Sequence, residues 1–416
     1  MLLGMVDLLL VGRLGPAAQG AVGIGTSFFS WFLIFGIGLL SAMDYFVSTA
    51  LGAGKHEDAA HSLFQGLWIS TWLGLPLNGV LYAVARNIEL FGIHPDVAPL
   101  ASEYLTVLSF SLWPVYLFSA ARNYLQALHR VWEGFALLVF ANLLNYGLNL
   151  LWIPTWGSTG SAWATVVSRY SMAVVLLGIA LFWVKKTSTQ THPFRSTRLV
   201  PNWTGQLSLL RLGIPAALQS TAEVGVFALS TLLAGRLNPE SLAAHQIVLN
   251  LASMTFMVPL GIGTAAAVCV GFFLGRQEPH AARQQGWMAL RYTLGFMSCT
   301  ALIFATQGRP LLSIYTQDGM VLRLAEPVLY VAALFQLFDG TQTVLTGALR
   351  GWGITRAPLI VNLLGHWAIG LPVGLWLAFH KSMGILGIWI GLALGLTAVA
   401  ILLLREWHRT SRAAAD

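Results

Sequence analysis

The chain alternates between long apolar runs and short breaks of polar residues, glycine and proline. Twelve apolar segments are counted, at residues 1–12, 20–49, 62–85, 98–121, 131–153, 159–184, 207–234, 241–274, 286–306, 320–346, 357–379 and 383–404. A helix of about 20 residues crosses the roughly 30 Å of hydrocarbon in a bilayer. No segment shows the period-two alternation of a barrel strand. The pattern predicts twelve transmembrane helices, the first of them short.

The composition supports a membrane-embedded, all-α protein. Only 9% of the 416 residues are charged, against about 25% in soluble domains, and the mean hydropathy is +0.70. Cys269 and Cys299 lie within apolar runs, so neither a structural disulfide nor a zinc site is expected. The net charge of +7 is interpreted as a topology signal, because basic residues mark cytoplasmic loops. We therefore expect no nucleic-acid partner.

A polar stretch at 185–205 divides the segments into two sets of six. It predicts an N-terminal six-helix lobe at 1–185, a linker at 186–205, a C-terminal six-helix lobe at 206–405 and a tail at 406–416. Lys and Arg are more frequent in the loops on the linker's side than on the other side. This bias predicts that the linker and both termini are cytoplasmic.

The two halves resemble each other. "GRLGP" at 12–16 recurs as "GRLNP" at 235–239, and "LGAGKHEDAA" at 51–60 recurs as "LGRQEPHAAR" at 274–283, both 223 residues later. Six spans in each half give the two copies the same orientation, which is a parallel repeat. Because the seventh span begins near Leu207, the same offset predicts that about sixteen residues are missing before Met1, so that either the start codon is misassigned or the first helix is truncated.

Four acidic residues lie within apolar segments, where an ionisable side chain marks a functional site by default. They are Asp7, Asp44, Glu223 and Asp339. The repeat does not conserve them: Asp7 aligns with a serine, Asp44 with an alanine and Asp339 with a phenylalanine. An acid that served the scaffold alone would tend to occur in both halves. The asymmetry therefore favours a functional role.

The chemistry of a desolvated carboxylate favours neutralisation by a proton or a cation. With aromatic faces nearby it also suits lipophilic organic cations. The alternative is that each acid pairs with an arginine in or beside a span. The candidate partners are Arg122, Arg169, Arg211 and Arg291.

Several stretches resemble the multidrug and toxic compound extrusion (MATE) family, in its NorM-like branch. They are "MVDLLLVGRLGPAAQGAVGIG", "AAHQIVLNLASMTFMVPLGIG", "LGRQEPHAARQQGW" and "FQLFDGTQTVLTGALRGWG". The resemblance implies two six-helix lobes and export of cationic drugs in exchange for Na⁺ or H⁺, without a cofactor. It also implies a multi-pass monomer in the bacterial inner membrane.

Site residues follow from the resemblance by position. Glu223 and Asp339 match the acids of a C-lobe cation site, which holds Na⁺ if the protein is sodium-coupled, and Asp7 matches the first-helix acid. The resemblance places further residues at the substrate cavity. These are Asp7, Asp44, Gln246, Asn250 and Tyr292.

The chain also departs from the family pattern. Asp44 stands where relatives commonly have threonine, and His366 where an aromatic residue is common. His366 is interpreted either as a proton-linked group or as a packing histidine. Asn142 and Asn145 lie near the position at which the DinF-like branch has a fifth-helix acid, so a proton site of that type is in doubt.

Three functions are compared. Cation-coupled multidrug antiport is the leading hypothesis, and a lipid-linked oligosaccharide flippase of the same superfamily is the alternative. Such flippases often have fourteen spans and a cationic cavity, whereas this chain has twelve spans and buried acids. An intramembrane enzyme is not expected, because the sequence shows no P-loop, catalytic triad or metal-ligand spacing.

Overall fold

A computed structural model describes residues 2–188 and 200–413, and these residues form helices and short connections without a β-strand. Residues 189–199 of the predicted linker and residues 414–416 of the predicted tail lie outside the described residues.

The first half contains six helical segments, numbered in chain order. They are α1 (Leu2–Val11), α2 (Pro16–Gly52), α3 (His56–Arg86), α4 (Ala98–Ser109 and Leu112–Ala127, bent by 40°), α5 (131–156) and α6 (158–188). Gly157 separates α5 from α6 with φ 58° and ψ −141°. This left-handed conformation favours glycine and ends a right-handed helix.

The second half contains six further segments. They are α7 (Trp203–Leu237), α8 (Pro239–Gly275), α9 (Pro279–Thr306), α10 (Gly319–Gly351), α11 (Arg356–His380) and α12 (Gly384–Ala413). Polar side chains fix two of the helix starts. Asn238 accepts a hydrogen bond from the Ser241 amide ahead of Pro239, and Asp318 accepts from the amides of Met320 and Val321.

The helix lengths agree with a membrane-spanning chain. Within the described residues, nine helices are long and apolar enough to span, and the bent α4 makes a tenth. The continuous helix 131–188 contributes two segments once it is divided at Gly157. With the ten-residue α1, the count reaches the twelve segments predicted from hydropathy.

Contacts divide the chain into two compact units, Met1–Ala217 and Leu218–Asp416. The division falls within α7, about a dozen residues after the predicted start of the C-terminal lobe. The linker-based boundaries stay a prediction.

In the second unit, the helices pack through close backbone contacts as well as through side chains. Phe335 of α10 packs against Trp389 of α12, with ring centroids 5.7 Å apart. Glycine at 347 lets α10 approach α8: a Cβ built at Gly347 lies 2.1 Å from the Gly263 carbonyl oxygen. Small residues allow this separation between membrane helices. The close approach fixes α10, which carries Asp339, against α8.

Candidate functional site

Two of the predicted acids meet in the second unit. Glu223 lies on α7, and its Oε1 atom accepts a hydrogen bond of 2.8 Å from Nε2 of Gln342 on α10. Asp339 lies on α10 one turn before Gln342, is only 7% exposed and lies within electrostatic range of Glu223. A buried carboxylate and a half-buried one therefore lie within electrostatic range of each other.

The two acids have few internal partners. Among the described residues, Asp339 makes no hydrogen bond or ion pair, and Glu223 makes only its bond from Gln342. The Oε1 atom of Gln342 is itself buried and accepts no hydrogen bond. A buried acceptor without a donor is costly, and a bound proton or cation removes that cost. Both acids therefore have acceptor oxygens that no protein donor among the described residues satisfies.

A pocket of about 90 Å³ opens beside this region within the second unit. Its volume admits water or a small ion but not a drug-sized molecule, which needs roughly 300 Å³ or more. Glu223 is part of its lining, whereas Asp339 is not. The lining also includes Gln219, Phe256, Thr264, Gln342 and Arg350.

A second polar group lies one turn from Asp339. Oε1 of Gln336 accepts hydrogen bonds from Thr255 at 2.6 Å and from Thr300 at 3.1 Å. Its Nε2 atom is buried and donates to no group within the described residues. Polar side chains from α8, α9 and α10 therefore meet beside Asp339.

The first unit surrounds Asp7 with donors. Oδ1 accepts from Nδ2 of Asn149 at 2.8 Å, and Oδ2 accepts from the Thr165 hydroxyl at 2.6 Å. Asn145 donates one 3.1 Å hydrogen bond to the Thr165 hydroxyl and accepts another, also of 3.1 Å, from Nδ2 of Asn149. All four side chains are at most 1% exposed. Asp7 is thus held by a network joining α1, α5 and α6.

The arginine alternative predicts ion pairs that three of the four acids do not make among the described residues. No Lys or Arg of the described residues forms an ion pair with Asp7, Glu223 or Asp339. Arg169 instead donates to the Ser111 hydroxyl at 2.7 Å and lies over the Phe29 ring. Asp7 and Asp44 are both buried, and each interacts electrostatically with an arginine, Asp7 with Arg169 and Asp44 with Arg122.

The other predicted cavity residues lie apart from the small pocket. Gln246 and Asn250 are exposed on α8, and Asn250 accepts a 2.8 Å hydrogen bond from the Tyr315 hydroxyl. Tyr292 is 67% exposed on α9. None of the three is part of the pocket that Glu223 lines. Their role in substrate binding stays a prediction.

Two buried histidines have different surroundings. His366 is inaccessible on α11, and neither ring nitrogen makes a hydrogen bond within the described residues. His245 accepts at Nδ1 from the Trp389 indole at 3.1 Å, so its Nε2 carries the hydrogen shared with Thr231 at 2.9 Å. A second ring proton on His245 would point at the Trp389 donor. His245 therefore has a structural role in the "AAHQ" stretch.

Sequence reasoning missed the neutral partners of the acids. Asn149, Thr165, Gln336 and Gln342 are uncharged and common in membrane helices, so only their positions within apolar segments marked them. Asn145 was noted, but as the place of a missing acid. A buried amide or hydroxyl needs a partner. That requirement was the one signal in the sequence that could have identified these four residues as partners of the acids.

Comparison with known proteins assigns the chain to a family. The MatE family model matches residues 1–151 and 215–376. A probable multidrug resistance protein NorM of Brucella suis is 34% identical over 97% of this chain and 88% of its own length. A multidrug resistance protein NorM of Burkholderia vietnamiensis is 35% identical over 98% of this chain and 90% of its own.

Solved structures agree on the fold. The eukaryotic MATE transporter AtDTX14 superposes with a TM-score of 0.85 at 24% identity, over 99% of this chain and 93% of that one. A MATE in the bent conformation gives 0.90 at 17% identity, over 100% and 92%. The predicted all-α, twelve-helix membrane fold is confirmed. The chain therefore belongs to the MATE family, in its NorM-like branch, and is a transporter rather than an enzyme.

Proposed function

We propose that this chain exports lipophilic and cationic drugs in exchange for Na⁺ or H⁺. The similarity to NorM proteins named for multidrug resistance supports drug efflux. Glu223 and Asp339 lie within electrostatic range of each other, and neither forms an ion pair with Lys or Arg among the described residues, which supports a cationic coupling ion.

The observation that carries the proposal is the difference between the acids of the two units. Both Asp7 oxygens accept hydrogen bonds from neutral side chains, whereas Asp339 has none and Glu223 has one. Charge-assisted hydrogen bonds stabilise a buried carboxylate without an ion. The C-terminal pair lacks that support, so a proton or Na⁺ supplies it. Glu223 and Asp339 are therefore assigned to the coupling ion.

Asp7 has a separate role in this scheme. Its network fixes the carboxylate direction and leaves Oδ1 of Asn149 buried without a donor. A cationic substrate or a proton that reaches Asp7 competes with the Asn149 and Thr165 donors. Neutralising Asp7 would weaken its hydrogen bonds to Asn149 and Thr165, and through them change how α1, α5 and α6 are held together. Asp44 is buried and interacts electrostatically with Arg122. We assign it mainly a structural role and only a minor role in substrate binding.

Coupling follows from mutual exclusion. If drug binding and ion binding each neutralise acids and oppose one another, linkage makes the effect reciprocal. An inward ion gradient then drives drug outward when the repeats change access alternately. The chain acts as a monomer in the bacterial inner membrane with both termini in the cytoplasm, as the distribution of Lys and Arg predicts.

The test is ethidium efflux from proteoliposomes, with Na⁺ and pH gradients imposed separately. We expect one of the two gradients to drive efflux in the unaltered protein. The Glu223→Gln, Asp339→Asn double variant is expected to lose that gradient dependence, because its neutral amides carry no negative charge for a proton or Na⁺ to neutralise.

The matched control is Glu326→Gln, which removes an acid from the same helix as Asp339 but at a position bonded to the exposed Tyr330 hydroxyl. Its gradient-driven efflux is expected to match that of the unaltered protein. Full gradient dependence in the double variant, or efflux that neither gradient affects in the unaltered protein, contradicts the proposal.

A further inference from the structure

One face of α9 carries cations and aromatic rings outside the candidate transport site. We propose that this face binds the headgroup of an anionic phospholipid. Arg283, Trp287 and Arg291 follow one another at intervals of four residues, so they form a single stripe along the helix. A groove of about 660 Å³ runs along the stripe, and His280, Gln284 and Met288 complete its lining. We call it the α9 groove.

The length of α9 places the stripe at the membrane interface. Its 28 residues rise about 42 Å, roughly 12 Å more than the hydrocarbon thickness. The excess belongs to the first half, because residues 279–291 include most of the polar side chains and residues 293–306 are largely apolar. The edge of the hydrocarbon therefore falls about eight residues into the helix, near Trp287, with Arg283 one turn outward and Arg291 one turn inward, where its long side chain still reaches the interface. Trp287 lies between them, at the depth where tryptophan is enriched.

The cations of the groove have no anionic partner inside the protein. Among the described residues, neither Arg283 nor Arg291 forms an ion pair or a hydrogen bond. Two acids near this groove in the sequence of α9 and α12 already pair with other arginines. Glu278 lies 3.0 Å from Arg276, and Glu406 lies 2.9 Å from Arg409.

An exposed arginine at the edge of the hydrocarbon requires an anion or water. Lipid phosphates occupy this depth, and guanidinium groups bind phosphate oxygens in a two-pronged geometry. Basic pockets on membrane helices bind anionic headgroups for this reason. The charge and depth of the groove thus both fit an anionic phospholipid.

The walls of the groove are held in place by packing. A Cβ built at Gly286 lies 2.1 Å from the Trp407 ring, so α9 contacts α12 directly behind the stripe. Trp287 lies against His408 of α12, with ring centroids 6.4 Å apart. Within the groove, the side chain of Met288 is exposed and provides apolar surface for an acyl chain. The groove is therefore built before the lipid arrives.

The experiment measures lipid binding by the purified full-length protein. Native mass spectrometry would count phosphatidylglycerol and phosphatidylcholine retained from matched mixtures. The unaltered protein is expected to retain phosphatidylglycerol preferentially. The Arg283→Gln, Arg291→Gln double variant is expected to bind phosphatidylglycerol about tenfold or more weakly, because each basic residue near a lipid surface contributes about 1 kcal/mol. Phosphatidylcholine retention is expected to stay the same.

Two further variants make the result specific. Arg309→Gln, Arg323→Gln removes the same charge from exposed positions near the other end of α9, and it is expected to leave the lipid preference unchanged. Arg283→Lys, Arg291→Lys keeps the charge and is expected to keep most of the preference. Equal retention of both lipids by the unaltered protein overturns the proposal. Equal losses in the Arg309 and Arg323 control, or no loss in the Gln variant at the groove, also overturn it.

Discussion

Gln342 donates a hydrogen bond from Nε2 to Oε1 of Glu223 at 2.8 Å, across 119 residues of sequence. The bond fixes one oxygen of Glu223 and presents the unpaired Oε1 of Gln342 beside it. The amide thus both orients a carboxylate and supplies a further oxygen. Oxygen ligands of this kind suit a hard cation such as Na⁺, and the same oxygens can accept a proton.

The first prediction concerns this amide. Gln342→Ala leaves both carboxylates in place but removes the donor and the free oxygen. We expect the ion concentration that gives half-maximal efflux to rise several-fold, because the ion loses the free Oε1 of Gln342 as a ligand and Glu223 loses the bond that orients it. Ion-titrated ethidium efflux from proteoliposomes measures this.

Gln219→Ala is the matched control. Gln219 lines the same pocket but contacts Thr346, at 3.4 Å, rather than Glu223. Its ion dependence is expected to change by less than that of the Gln342 variant. Equal effects of the two truncations would show that loss of pocket volume, not the bond to Glu223, is responsible.

The second prediction concerns the network around Asp7. Thr165→Val preserves the side-chain shape but removes the hydroxyl that donates to Asp7 and accepts from Asn145. A buried carboxylate then loses one of its two donors, so we expect a lower thermal unfolding midpoint. In the Asp7→Asn background the same change is expected to cost less, because no charge is left unpaired. The coupling energy should be about 0.5–3 kcal/mol.

Thermal unfolding of the two single variants and the double variant in one detergent completes this cycle. Thr155→Val, an exposed threonine on α5, controls for the loss of a hydroxyl in general. Additive effects of Thr165→Val and Asp7→Asn would contradict a shared network.

The third prediction concerns the α8–α10 contact. In Gly347→Ala the new methyl group meets the backbone of Gly263, and backbone atoms cannot turn aside as a flexible side chain can. We expect the yield of folded protein to fall, with a destabilisation of about 1–3 kcal/mol. Efflux per folded molecule is expected to fall as well, because α10 carries Asp339 and Gln342. Size-exclusion profiles and thermal unfolding report the stability.

Gly261→Ala is the control for helix propensity. A Cβ at Gly261 of α8 has no heavy atom within 4 Å, so this variant is expected to be neutral or slightly stabilising. If both alanine variants behave alike, the close backbone contact is not important for stability.

The sequence by itself determined the membrane class, the helical segments and the intramembrane acids. Each depends on local information: a helix satisfies its own backbone, so an apolar run of sufficient length is enough to predict a span. The repeat gave two six-helix halves, and the resemblance supplied the candidate acids. The break at Gly157 lies between two segments already visible in the hydropathy, whereas the bend in α4 lies inside the predicted segment 98–121 and is not visible there.

Only the tertiary structure decided which neutral groups meet the acids. Asp7 accepts from residues 142 and 158 positions away, whereas Ser230, its counterpart in the repeat, donates within its own helix to the Val226 carbonyl oxygen. Helix rotation and depth set these pairings, and both depend on packing between helices rather than on local pattern. The sequence therefore shows where charge is buried, whereas the fold decides whether protein donors or a transported cation balance that charge.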